Sequence, residues 1–179
     1  WVQPIDGAAA PRQVTRDTVR GIRDHGWSQD GRRIFYLQDQ GGDENYHVYS
    51  SEVASGEVRD LTPVKEGARA TIEAVSLDRP DHIVVGINER DPQIFDLYRV
   101  DVTTGERELL KENPGYAAWL IDNALEPRFG FVPTPEGGGN VVDFEGNVFT
   151  VIPPEDFLAT QAIGFTDDNS AVYMIDSRG

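Results

Sequence analysis

The chain has 179 residues, enough for one ordinary domain or a piece of a larger one, and 39% of them are hydrophobic, enough to bury a core. Its formal charge of −15 argues against a nucleic-acid surface and against an anionic membrane surface, because both need net Lys and Arg. There is no cysteine, which removes disulfides, cysteine zinc sites and cysteine nucleophiles, and there is no apolar run long enough to span a membrane.

Taken in chain order, the opening stretch WVQPIDGAAAPRQVTRDTVR lacks a positive segment followed by an apolar core, so it does not read as a signal peptide. The cytoplasm is the simplest setting, with a periplasmic or secreted location left open. Within this stretch PRQVT (11–15) reads as the last strand of a preceding unit. Helical periodicity is then almost absent. Short β-branched and aromatic runs, separated by Gly, Asp, Asn and Pro clusters, predict strands over 33–38, 46–53, 58–62, 82–88, 96–102, 106–112, 128–134, 140–144, 147–152 and 171–176. The segments DGRR, ASGE, TTGE and EGN between them place Gly where a tight turn needs positive φ.

A repeat organises these strands. DGRRIFYLQDQGGDENYHVYSSEVASGEVRDLTP aligns with RPDHIVVGINERDPQIFDLYRVDVTTGERELLKE, and Gly56 and Gly105 lie 49 residues apart. Ile34 and Ile83 share that spacing, a third copy places Phe129 at the same position, and a fourth places Val172 there. Each copy opens with a strand carrying a Trp or a small apolar residue (HGWS, EAVSL, AAWLI, AIGF) and continues with three more. A period near 45 with about four strands per unit is the signature of a β-propeller blade. The expected fold is therefore all-β: a partial β-propeller of about three complete four-stranded blades (23–62, 73–112 and 117–152). Part-blades are expected at 11–15 and 162–179. Closed propellers have roughly four to eight blades, so residues 1–179 read as a fragment of one propeller domain.

Few motifs in the chain carry chemistry. The loop QDQGGDEN groups Asp39, Asp43 and Glu44 around two glycines, and the aligned segment NERDPQIF carries Glu89, Arg90 and Asp91. Loops at the same step of successive blades emerge on one face, so both acidic segments are expected to line one rim. The acidic loop lacks the full calcium-loop spacing and its terminal bidentate Glu, so no metal site is assigned. Asp43, Glu44, Glu89, Arg90 and Asp91 are left as candidates for contact with a substrate or a neighbouring domain, beside the simpler reading of a hairpin loop. No G-x-S-x-G elbow occurs, and His25, His47 and His82 read as structural strand residues, so no catalytic residue is assigned. PEGGGN (135–140) lacks the G-K-[ST] ending of a phosphate loop and reads as a flexible hairpin. Trp27 and Trp119 read as packing between blades. No cofactor is called for.

Taken together, QDQGGDEN, ERDP…FDLYRVD and FTDDNSAVYMIDSRG resemble the N-terminal propeller of the prolyl oligopeptidase family, in its bacterial dipeptidyl aminopeptidase/acylaminoacyl peptidase-like branch. The resemblance runs from about Pro11 to Gly179. It implies a propeller that caps a C-terminal α/β-hydrolase domain bearing a Ser-Asp-His triad, admits peptides and turns folded proteins away. That hydrolase domain is absent from this sequence, so the chain alone is expected to be inactive. The Glu-Glu pair with which dipeptidyl peptidase relatives hold an amino terminus is not identifiable. The implied partners are the hydrolase domain and a peptide substrate, with self-association through exposed blade edges. Two rival readings stand beside this one. The first is a stand-alone protein-binding propeller similar to that of the periplasmic Tol-Pal system, and the second is a propeller enzyme with central metal chemistry.

Overall fold

A computed structural model of the chain describes residues 1–16, 18 and 21–178. Residue 179, the end of the part-blade expected over 162–179, lies outside the described residues. The chain divides into two compact units, Trp1–Leu109 and Leu110–Gly179. No helix among the described residues is long and apolar enough to cross a membrane.

The first unit is built on two antiparallel meanders. One runs β1 (Asp24–Trp27), β2 (Arg33–Gln38), β3 (His47–Glu52), β4 (Val58–Asp60), and these strands lie side by side in sequence order. The other runs β5 (Ala70–Val75), β6 (His82–Asp91), β7 (Ile94–Asp101), β8 (Arg107–Lys111), again in order. The second strand of each meander is apolar on consecutive positions, because both of its faces are covered. Six consecutive residues of β6, Ile83 to Asn88, are buried. The core joins the two sheets through Phe35, Val48 and Leu61 of the first and Ile83, Val85, Ile87 and Val100 of the second. Outer strand β8 is largely exposed, and β4 is half-buried beyond the exposed Val58. The hairpins before them turn at Gly56 and Gly105, with φ of 72° and 78°, and their amides close onto the carbonyls of Glu52 and Asp101.

The second unit holds a third meander, β9 (Ala118–Ile121), β10 (Pro127–Pro133), β11 (Gly139–Val142), β12 (Val148–Ile152). A 3₁₀ turn at Pro154–Asp156 leads to a two-stranded sheet of β13 (Gln161–Phe165) and β14 (Val172–Ile175). The fold class is thus all-β, a partial propeller of three four-stranded sheets and one two-stranded sheet.

Among the described residues, 11–15 join no strand ladder; Arg12 makes a single bridge with Val2, while Val14 is buried and its carbonyl accepts the Ser51 hydroxyl. Two sequence expectations change. The 88–95 segment is not a loop like 39–45, because β6 and β7 continue to the Asp91↔Ile94 pair and close over two residues. The PEGGGN glycines do more than bend. A Cβ on Gly139 would lie 2.1 Å from Phe131 Cζ, and one on Gly138 would lie 2.3 Å from the Ile152 carbonyl oxygen. These positions are set by close packing.

Candidate functional site

The β2–β3 connection is held by side chains that fold back on their own backbone. Asp39 is 4% exposed and its carboxylate accepts the Glu44 amide at 3.2 Å. Asp43 Oδ1 accepts the amides of Asn45 at 3.0 Å and Gln40 at 3.3 Å, while Oδ2 accepts the Asn45 side-chain amide at 3.1 Å. The backbone amide of Asn45 is the main influence holding the Asp43 carboxyl below its ordinary value. Gly41, Gly42 and Glu44 all take positive φ, at 70°, 93° and 58°. At Gly41 and Gly42 that conformation is free of Cβ strain; at Glu44 it is strained, and the Asp39 contact holds it. The Glu44 side chain is exposed.

The β6–β7 connection uses ion pairs instead. Arg90 makes a two-pronged contact with Asp96, Nε to Oδ2 at 2.8 Å and Nη2 to Oδ1 at 2.6 Å. The Asp96 side chain is 3% exposed, so its charge is matched inside the fold. Glu89 Oε1 accepts the Lys65 amide at 3.0 Å, and Glu89 Oε2 lies 3.2 Å from Arg107 Nη2. Lys65 also donates its ammonium to the Glu89 carbonyl. Arg107 lies over the Tyr98 ring at 5.6 Å, and burial raises the Tyr98 hydroxyl above its ordinary value. Asp91 accepts the Gln93 amide at 2.9 Å and closes the turn.

Both segments lie at the same end of adjoining sheets. The Tyr46 carbonyl, where the first connection ends, accepts the Ala70 amide at 2.7 Å. The preceding residue, Arg69, donates its amide to Asn88 Oδ1 at 2.7 Å, and its carbonyl accepts the Asn88 amide at 3.3 Å. Asn88 Nδ2 donates in turn to the Pro92 carbonyl at 2.9 Å. The start of β5 therefore ties the acidic loop to the hairpin. Of the five candidate residues, Glu89 and Arg90 have matched charges, Asp43 and Asp91 shape their turns, and Glu44 extends outward. Sequence reasoning missed Asp96, Lys65 and Arg107, which meet Arg90 and Glu89 where the register shifts between Ile87 and Asp91.

The remaining motifs are structural. His47 Nδ1 lies 2.7 Å from Asp60 Oδ2, and its ring continues the stack of Tyr36 and Tyr49. His82 Nδ1 lies 3.0 Å from Asp81 Oδ1, and His25 sits exposed on β1. Trp119 packs edge-on against Tyr116 at 5.1 Å and meets Phe144 at 6.1 Å, within its own unit. Trp27 differs: it is 50% exposed. Among the described residues, no group of three His, Asp or Glu side chains is gathered as metal ligands would need.

Comparison with solved structures places prolyl oligopeptidase B from Galerina marginata on 84% of this chain and 22% of that one, with a TM-score of 0.52 at 14% identity, a likeness of fold. In sequence, dipeptidyl aminopeptidase BIII of Pseudoxanthomonas mexicana is 38% identical over 184 residues, covering 100% of this chain. The 38% identity along the whole chain supports an N-terminal propeller region of the prolyl oligopeptidase family, and the solved structure agrees with it in fold alone. The propeller region also matches dipeptidyl peptidase family member 6 of Caenorhabditis elegans, at 26% identity over 70% of the chain. It spans 27% of the length of the bacterial relative and 18% of the nematode one. No family profile matches it.

Proposed function

We propose that this chain is the substrate-gating propeller portion of a serine peptidase and carries no catalytic residue itself. The observation behind this reading is the 38% identity to a dipeptidyl aminopeptidase along the whole chain. In this reading residues 1–179 are part of one propeller domain whose blades are the sheets β1–β4, β5–β8 and β9–β12. An α/β-hydrolase domain of the parent protein supplies the nucleophile, and the propeller admits peptides while excluding folded proteins. The exposed Glu44 and the turn-closing Asp91 face a peptide's cationic amino end or the partner domain. Asp43, Glu89 and Arg90 set the shape of that rim. Exposed apolar side chains on β12 and β14, among them Phe149, Val151, Tyr173 and Ile175, support self-association of the isolated chain.

The test uses the full-length protein. It should release the chromophore from dipeptidyl p-nitroanilides, lose that activity to a fluorophosphonate, and leave a folded protein uncut while cleaving peptides. Absence of fluorophosphonate-sensitive hydrolysis would overturn the reading. For the isolated chain, sedimentation should show a dimer or larger species; a monomer at all concentrations would remove the self-association claim.

A further inference from the structure

The second unit contains a cavity of about 320 Å³ between β9, the 3₁₀ turn and β13. Leu120, Phe131, Val141, Ile152 and Phe157 give it apolar walls, and no charged residue lines it. The aromatic walls are fixed by packing: the Phe131 and Phe157 rings lie 5.8 Å apart, and Phe131 rests against Gly139, where no larger residue fits. Its polar lining residues are Thr160 and Gln161. The Thr160 hydroxyl is 3.0 Å from the Ser177 hydroxyl, and Gln161 is exposed. In a chain of charge −15, an uncharged hollow of this size suits an apolar side chain and gives a cationic one nothing to pair with.

Two neighbouring strands supply the second half of the observation. β9 ends the order β12-β11-β10-β9, and β13 belongs to a sheet with β14 alone. Among the described residues, each therefore has one side with no strand partner. An open edge next to a side-chain pocket is the arrangement by which sheets take up extended peptides: backbone pairing supplies affinity and the pocket supplies selection.

We infer that this cavity is a side-chain subsite for an extended peptide, which runs along the edge of β9 or β13 and places one apolar residue between Leu120, Phe131 and Phe157. The inference rests on the peptidase reading for its choice of a peptide as occupant. It adds a selectivity for aromatic or branched apolar residues, exerted on the propeller.

The test uses full-length protein and blocked pentapeptides, acetyl-Ser-Gly-X-Gly-Ser-amide, with X as Gly, Leu, Phe or Lys. Binding is measured by calorimetry. The Leu and Phe peptides should bind roughly tenfold to a hundredfold more tightly than the Gly and Lys peptides, as burial of one apolar side chain implies. Hydrogen exchange should show the amides of β9 or β13 protected by the Phe peptide in the unmodified protein. Ala162→Phe, which fills the cavity, and Phe157→Ala, which opens one wall, should each abolish the discrimination while leaving the far-ultraviolet circular dichroism spectrum of the protein unchanged. Equal binding of all four peptides, or protection confined to other strands, overturns the subsite. A protein that discriminates among the peptides yet hydrolyses nothing keeps the subsite and overturns the peptidase reading.

Discussion

The β2–β3 and β6–β7 connections occupy the same step of two adjoining meanders, and both are acidic, yet they are built differently. The first is a compact loop whose carboxylates bind their own backbone amides, with three residues at positive φ. The second is a continued ladder that turns at Pro92-Gln93, with Arg90 and Glu89 tied into ion pairs. The repeat thus determines where the chain reverses, and the residues in between decide what the reversal presents. Two glycines and an Asn end the ladder early in the first case. Ile94 and Phe95 prolong it in the second.

Mutations at the two connections, and at the third, separate these designs by the size of their effects. Ile87→Ala removes a fully buried side chain at the base of the long hairpin and should cost about 3 kcal/mol. The change Leu37→Ala, at a half-buried position before the short loop, should cost about 1 kcal/mol. Chemical denaturation of both variants would test this contrast, and equal losses would break it. At the third connection, Gly139→Ala drives a methyl into Phe131 and should cost about 2 kcal/mol in the same measurement. An unchanged midpoint would mean that the glycine run is only a flexible turn.

Smaller effects separate the polar parts. Asp96→Asn keeps the shape but removes the charge facing Arg90, and should cost about 1 kcal/mol because Arg90 is already partly solvated. Asp43→Ala should leave global stability almost unchanged. It should speed amide exchange at Asn45 several-fold while the β6–β7 amides keep their protection. Acid titration gives the subtlest contrast. The folded-state pKa of Asp43 is depressed, so its support of the loop is complete above the ordinary carboxylate value and is lost as pH falls through the depressed one. Amide exchange followed from neutral to acid pH should therefore loosen residues 40–45 only at the acid end. Loosening between neutral pH and the ordinary carboxylate value would contradict the assignment.

The strand pattern was legible in the sequence because period and turn chemistry act locally. RIFYLQ is β2 at both ends, and Gly56 and Gly105 take the positive φ that their turns need. The acidic candidates were legible only as a list. Nothing local distinguishes Glu44, which is exposed, from Glu89, which is clamped by Lys65 and Arg107. That difference depends on a partner 24 residues earlier and on an irregular register, neither of which a composition window contains. PRQVT reads as a strand by its residues; within it Arg12 bridges Val2 and Val14 is buried. The cavity beside β9 was invisible for a similar reason. Its walls come from five separate segments of the chain, and an unpaired edge is a property of the sheet.

The tie at the start of β5 has a mechanical consequence. Tyr46 and Asn88 are bound to consecutive residues, Ala70 and Arg69, so a ligand that pulls on the acidic loop also loads the neighbouring hairpin through two peptide units. The two connections are thus joined by a short chain of hydrogen bonds that runs from Tyr46 through Ala70 and Arg69 to Asn88 and the Pro92 carbonyl beside Asp91.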